Sequence, residues 1–277
     1  MTALPRILAT AAQEVRIARR NRWALLATLL MTLFALALAL FAAGQTGEVK
    51  ADTLTLTAAS LATLSVYLIP LIALLVSYDS FAGEVERGTL ALALATPLGR
   101  GEILAGKLLA QTAVVGAAIV IAFASAAAVA AVTGHLTPAG AAAWMRLGLT
   151  SLALGTVFVA LGLAISAATP RTGMASALAV GLWLVFVVLY DVALLGAVIA
   201  AGESGFTSHV FPWLVLANPA DAFRLYNLVS LEAAPVAGVD GLMHNLPVPA
   251  AATLLPLFLW AVVAIAAGAA LVRRLTP

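Results

Sequence analysis

Six long apolar runs constrain the fold of this chain more than any other feature. They lie near Trp23–Ala43, Ala58–Tyr78, Leu108–Val132, Arg146–Ala168, Met174–Ala200 and Ala251–Val272. A helix needs about 20 apolar residues to cross a hydrocarbon core of about 30 Å, and each run is long enough. Only 9% of the residues are charged, whereas soluble domains carry about 25%. The sequence therefore predicts an all-α integral membrane protein with six transmembrane helices.

The basic residues predict how these helices are oriented. Of the 14 Lys and Arg residues, 11 fall at one set of run ends and 3 at the other. The larger set is Arg6, Arg16, Arg19, Arg20, Arg22, Arg87, Arg100, Lys107, Arg171, Arg273 and Arg274, and the smaller is Lys50, Arg146 and Arg224. Because loops rich in Lys and Arg stay in the cytoplasm, we expect both termini to be cytoplasmic.

Residues 1–22 precede the first run and show a helical pattern. Apolar side chains recur at spacings of three and four, and basic or polar side chains occupy the opposite face. The apolar set is Leu4, Ile7, Leu8, Ala11, Val15 and Ala18. The pattern favours an amphipathic helix lying in the lipid interface of the bilayer, and the alternative is a simple basic flank. Residues 23–277 then form one domain with six predicted spans.

A charged segment, residues 79–107, separates the second and third runs. Its charges cannot stay unpaired in hydrocarbon, so the segment must leave the membrane. Pro97 and Gly99 divide it. Leu90 and Leu92 alternate with Ala, which periodicity alone would allow as a strand, but Ala and Leu are strong helix formers. We expect a short helix that starts at Gly88-Thr89, with the Thr89 hydroxyl as its cap, and that serves as a docking element.

The sequence of this segment resembles that of a known protein family. The residues that carry the resemblance are Gly83, Glu84, Glu86, Gly88, Thr89, Leu90, Thr96, Pro97, Arg100, Gly101, Leu104, Gly106 and Lys107. They are similar to the cytoplasmic signature of ABC-2 type transporter permeases. Tyr78-Asp79 and the later set Asn218, Pro219, Asp221, Phe223 and Arg224 resemble, within that family, the permeases of complexes that mature nitrous oxide reductase.

The resemblance implies a set of partners. It implies a homodimer in the lipid bilayer of a bacterial inner membrane, two ABC ATPase subunits on the cytoplasmic side and a periplasmic partner protein. The residues it assigns to ATPase docking are Glu84, Glu86, Arg87, Gly88, Thr89, Leu90, Leu92, Pro97 and Arg100. ATP and Mg would be bound by the partner ATPase, with no cofactor on this chain. The alternatives are an ABC-2 exporter of a drug, peptide or lipid-linked molecule, and a non-transporting anchor that passes ATPase motion to a periplasmic protein.

The residues themselves argue against catalysis and nucleotide binding by this chain. Residues 101–107 match most of a phosphate-binding loop, but Leu108 stands where the magnesium-binding hydroxyl belongs. There is no cysteine, and no predicted span holds a histidine that could serve as a base for a nucleophile. With a net charge of only +2 and basic residues placed beside spans, we expect no nucleic-acid partner. We predict a protein that is not an enzyme.

Two further groups of residues are candidates for function. Asp191, which follows Tyr190, is a carboxylate inside a predicted span, and it either lines a cargo path or anchors a neighbouring helix. Residues 201–250 form the long periplasmic connection. In it, Asn218 and Pro219 predict the start of a short amphipathic helix at or dipping into the outer membrane surface, which includes Asp221, Phe223 and Arg224. Met243 and His244 on the same connection are weak candidates for copper ligands, and we expect no metal site.

The fourth run carries a stripe of small residues. Gly148, Gly155 and Gly162 recur every seven residues, and Ser166 follows four later. Such a stripe lets another helix backbone come close. It is explained either by ordinary tight packing or by an interface that slides.

Overall fold

The computed structural model describes residues 3–18, 22–44, 53–95, 98–132, 137–202, 205–229 and 248–275. The helices are α1 Ala3–Ala18, α2 Arg22–Gly44, α3 Thr53–Ser77, α4 Ala82–Glu86, α5 Leu90–Leu94, α6 Arg100–Val132, α7 Pro138–Ala168, α8 Thr172–Leu184, α9 Tyr190–Ala201, α10 Phe206–His209, α11 Phe211–Ala217, α12 Pro219–Val229 and α13 Leu255–Arg274. A π-helical turn, Val185–Leu189, joins α8 to α9, and a 3-10 turn, Ala250–Leu254, precedes α13. The described residues contain no strand, which confirms the all-α prediction.

Within the described ranges, six helical segments are long and apolar enough to cross a membrane. Helices α2, α3, α6 and α7 supply four of them, α8 with α9 supplies the fifth, and α13 the sixth. Their number and order confirm the prediction. Helices α6 and α7 begin eight residues earlier than the apolar runs predicted, at Arg100 and Pro138. The 33 residues of α6 extend about 50 Å at 1.5 Å per residue, more than the hydrocarbon core, so its first turns stand outside the apolar layer.

Both ends of the described chain lie on one side of the bundle, called here the terminal side. Arg100, at the start of α6, donates hydrogen bonds to the carbonyls of Val272 and Arg273 at the end of α13, at 3.3 and 2.5 Å. Carbonyls in the last turn of a helix lack their usual intrahelical donors, and a cation is favourable there; the Val272 carbonyl also accepts the N–H of Leu275 at 3.3 Å. Arg6 of α1 pairs with Glu102 of α6 at 2.9 Å. The opposite face of the bundle is called the far side.

Helix α1 lies against the start of α6. Gly106 of α6 allows this close approach, because a Cβ atom there would lie 2.7 Å from Thr10 and 3.1 Å from the carbonyl oxygen of Ile7. Ala11 is buried, whereas Leu4 and Leu8 remain exposed. The predicted apolar face is therefore divided between a protein contact and an outward surface, and the helix covers residues 3–18 of the predicted 1–22.

Helix α7 forms the centre of the bundle, packed by α3, α6 and α13. Its side chains Leu154 and Phe158 are completely buried. At Gly162 an added Cβ would collide with the Ser77 hydroxyl of α3, and at Gly155 it would lie 2.9 Å from Val115 of α6. Gly148, by contrast, has nothing within 4 Å. The small-residue stripe therefore contacts neighbouring helices at two of its three glycines.

Candidate functional site

Helix α4 is held against α7 at its first residues. The backbone N–H groups of Phe81 and Ala82 both donate to Ser166 Oγ of α7, at 2.8 and 3.0 Å. The Phe81 side chain is 1% exposed and belongs to the main core. The start of the segment between the second and third spans is therefore fixed to the centre of the bundle. Ser166, predicted only as a small residue for packing, supplies that attachment.

Gly88 ends α4 rather than beginning the next helix. Its φ of +69° is a left-handed conformation that favours glycine. The N–H of Thr89 donates to the carbonyl of Glu84 at 2.9 Å, and the N–H of Gly88 to that of Val85 at 3.1 Å. These two bonds are the helix-ending pattern known as the Schellman motif. The Thr89 hydroxyl also donates to the Glu84 carbonyl, at 3.4 Å, whereas the predicted cap would accept an N–H of the following helix.

The two leucines of the predicted docking helix have different environments. The helical interpretation is confirmed, since α5 spans Leu90–Leu94. Leu90 is only 3% exposed and packs into the main core, whereas Leu92 is 72% exposed. The surface that α5 offers to another protein therefore includes Leu92 but not Leu90. Leu90 fixes α5 to the bundle instead.

Most charges predicted at the rim of the docking surface contact other parts of this chain. Glu86 accepts a hydrogen bond from the N–H of Thr172, the first residue of α8, at 2.8 Å, which suits a carboxylate at a helix N-terminus. Arg87 pairs with Asp79 at 3.4 Å. Arg100 binds the end of α13, as described above. Glu86 and Arg87 nevertheless remain exposed. Pro97 lies outside the described residues.

Lys107 is the centre of a polar cluster that the sequence analysis missed. The residue is 2% exposed. Its Nζ lies 2.6 Å from a carboxylate oxygen of Glu14 in α1 and 2.7 Å from one of Glu84 in α4. It also donates to the Ser80 carbonyl at 3.1 Å and lies 5.2 Å from the centre of the Phe81 ring. A small cavity of about 100 Å³ borders the cluster.

The sequence did contain a signal for this cluster. Lys107 follows two turns after Arg100 in a helix that then enters hydrocarbon, where an ammonium requires partners. Helix periodicity does not show which carboxylates approach it, because Glu14 and Glu84 belong to other elements.

On the far side, α11 and α12 form a helical hairpin that is packed into the bundle. Asn218 is its corner: its side-chain oxygen accepts the N–H of Ala220 at 2.9 Å, the predicted cap. Its amide donates to the carbonyl of Phe186, within the π-helical turn, at 2.6 Å. Phe223 is completely buried. The prediction of a surface amphipathic helix was therefore wrong in its packing, because nearly every side chain of α12 is buried.

A buried group of three charges joins this hairpin to the fifth span. Arg224 of α12 donates to Asp221 at 2.8 Å and to Asp191 of α9 at 3.2 Å. The Tyr190 hydroxyl donates to the Leu214 carbonyl of α11 at 2.7 Å. Of the two roles weighed for Asp191, the structure shows a contact that anchors a neighbouring helix. The pairing with Arg224 was not predicted, since 33 residues separate the two in the chain.

The described residues offer no obvious site for a metal or a nucleotide. None of their His, Asp and Glu side chains gather in groups of three or more that could hold a metal ion. Met243 and His244 lie outside the described residues. The stretch Gly101–Lys107 lies within α6, so it lacks the loop that would surround a phosphate.

Comparison with known proteins gives consistent matches along almost the whole chain. Residues 8–274 match the model of a family described as ABC-2 family transporter protein. A protein of Pseudomonas aeruginosa named "Probable ABC transporter permease protein NosY" is 41% identical over 273 residues, covering 98% of this chain and 99% of that protein. A protein of the same name from Stutzerimonas stutzeri is 39% identical, covering 95% of this chain and 96% of its own length.

Proposed function

The chain belongs to the ABC-2 family of transporter proteins, and from this we propose that it is the permease subunit of an ATP-driven complex that matures the copper centres of nitrous oxide reductase. It acts in the inner membrane of a bacterium as a homodimer. Two ABC ATPase subunits bind on the terminal side, which is cytoplasmic, and supply the ATP and Mg sites. A partner protein binds on the periplasmic far side. This chain has no catalytic role of its own.

One observation carries the proposal: the sequence identity with two permeases named NosY extends over nearly the full length of this chain and of each relative. A match of that coverage includes the proposed docking segment (residues 79–107), the six spans and the hairpin of α11 and α12. The resemblance noted in the sequence assigns such permeases to the maturation of nitrous oxide reductase.

The surface of α4 and α5 supports docking of an ATPase on the terminal side. Leu92 supplies an exposed apolar side chain, and Glu86 and Arg87 supply exposed charges of both signs. Burying one Leu side chain contributes about 1.5–3 kcal/mol, and charges at a rim mainly set specificity and association rate. Because α4 is fixed to α7 through Ser166 and α5 to the core through Leu90, a force on Leu92 acts directly on the bundle.

The copper content of nitrous oxide reductase tests the specific function. In a bacterium that encodes this chain and the reductase, we would delete the gene for this chain, purify the reductase and measure copper per polypeptide by mass spectrometry. We expect the deletion to yield copper-depleted reductase, with copper restored by the wild-type gene on a plasmid. A reductase with its full copper content in the deletion strain would favour an ABC-2 exporter of another substrate.

A further inference from the structure

Lys107 is shared by two carboxylates that come from different elements. Glu14 belongs to α1 and Glu84 to α4, and both place an oxygen within 2.7 Å of the Lys107 Nζ. With all three groups ionised, the cluster carries one negative charge in excess. The side chains of Glu14 and Glu84 are 16% and 20% exposed, and that of Lys107 is 3% exposed.

The excess charge makes one carboxylate dispensable. Removing the only partner of a buried charge is strongly unfavourable, because that charge is then left unpaired. Here either carboxylate can leave toward water while the other still neutralises Lys107. When one carboxylate leaves, the buried cluster also loses its excess negative charge. The arrangement therefore has two acceptable states, which a single buried ion pair would not have.

Glu14 is the better held of the two. Its helix α1 is fixed to α6 at two other points, the Arg6–Glu102 ion pair at 2.9 Å and the close approach of Thr10 to Gly106. Together with the bond from Glu14 to Lys107, these contacts extend along most of α1. Because α1 is fixed to α6, Glu14 could leave Lys107 only by a change of its own side-chain rotamer, and not by a movement of its helix.

Glu84 is less well held. Helix α4 is fixed at its start by Ser166, whereas Glu84 lies one turn later, next to the Gly88 turn that leads to α5. One carboxylate oxygen of Glu84 binds Lys107, and the other, Oε2, is buried without a hydrogen-bond partner among the described residues. A buried acceptor without a partner is unfavourable. For this end of α4 to move away, the exposed Glu86 bond to the Thr172 N–H must also break and Leu90 must shift in the core, so the movement needs the force of the ATPase.

We propose that Lys107 and its two carboxylates form a release point, at which Glu84 leaves Lys107 when the ATPase moves α5 while Glu14 keeps the ammonium paired. The inference rests on the proposed docking of an ATPase at α4–α5. Lys107 and Glu14 act as positioning residues: they hold α4 in its resting place and allow it to move without an unpaired charge.

The two glutamates provide a matched test. The complex of this chain with its ATPase would be purified in lipid, and ATP turnover measured for Glu14→Gln and Glu84→Gln. With Glu14→Gln, departure of Glu84 would leave Lys107 without a carboxylate, so turnover should fall at least tenfold. With Glu84→Gln, a neutral amide leaves more easily, so turnover should equal or exceed that of the wild type.

A purely structural ion cluster gives a different result. It predicts that both substitutions change turnover in the same direction and by similar factors, and that outcome would overturn the proposal. If Glu14→Gln yields too little complex, the pair Glu14→Asp and Glu84→Asp, which retracts each charge by one methylene, should show the same opposite effects. Failure of docking is seen separately, as loss of the ATPase from the purified complex, before turnover is measured.

Discussion

Replacement of Arg224 by Met should destabilise the protein more than any other single change at the far-side charges. The side chain of Asp221, which Arg224 contacts at 2.8 Å, is 2% exposed, and that of Asp191, at 3.2 Å, is 23% exposed. Arg224→Met removes the cation that contacts both of them. The two carboxylates then lose the cation that joins them, which opposes the packing of the hairpin against the fifth span.

The expected loss of unfolding free energy follows from the burial of these charged side chains. Removing one partner of a buried ion pair costs about 3–5 kcal/mol, because the remaining charge is left unpaired. Asp191→Asn should cost about 1 kcal/mol, because Arg224 keeps its bond to Asp221 and an amide oxygen still accepts a hydrogen bond. A variant in which Arg224, Asp191 and Asp221 are all replaced by apolar residues should recover most of the loss, since no charge remains buried.

Unfolding in mixed micelles of increasing SDS content, followed by tryptophan fluorescence, measures these free energies. We expect the order wild type, Asp191→Asn, then Arg224→Met, with the triple variant above Arg224→Met. An unfolding free energy for Arg224→Met within 1 kcal/mol of that for Asp191→Asn would refute the view that the three charges hold the hairpin in place.

Three further predictions concern the bundle. Ala95 and Ala139 are exposed residues in a chain without cysteine. When each is replaced by cysteine, a membrane-impermeant maleimide added to intact cells should label only position 139. Labelling of position 95 would contradict the predicted orientation. Gly162→Ala should lower the folded yield because its Cβ meets a serine of α3, whereas Gly148→Ala, with open space, should not; equal yields would contradict the packing of α7. Asn218→Leu should lower the free energy of unfolding by about 1–3 kcal/mol, because the Phe186 carbonyl in the π-helical turn loses the hydrogen bond from Asn218. Asn218→Ser keeps a capping oxygen, so it should lower that free energy less in the same SDS titration.

The number of spans could be predicted because each one is a local property of the sequence. A run of about 20 apolar residues reports a crossing without reference to its neighbours. The short helix α5 was likewise predicted from the helix propensity of Ala and Leu. The starts of α6 and α7 were missed, because a helix continues into the interfacial layer where polar side chains interrupt the apolar run.

The contacts between elements could not be predicted in this way. Lys107 binds Glu14 across 93 residues of sequence, and Arg224 binds Asp191 across 33. Periodicity places each residue on a face of its own helix but does not say which helix lies opposite. The same limit explains why α12 was predicted at a surface: Asn218 and Pro219 correctly predicted its start, but not that Phe223 would be buried.

Gly88 shows how one signal supports two interpretations. A glycine followed by threonine fits both the start of a helix and the end of the one before it. The positive φ and the hydrogen bonds to Glu84 and Val85 show that Gly88 ends the preceding helix, α4. The sequence could not distinguish them, because α4 has only five residues and no long apolar period of its own.

Docking of the ATPase at α5 is most directly tested by co-purification with Leu92→Asp. Burial of this leucine at each of the two proposed contacts would contribute about 2 kcal/mol, so its replacement should weaken each contact about thirtyfold. The control is Gln13→Asp, which adds the same charge at an exposed position of α1. We predict that Leu92→Asp remains folded in the membrane but loses the ATPase, and that Gln13→Asp retains it. A full complement of ATPase bound to the folded Leu92→Asp variant would contradict the account.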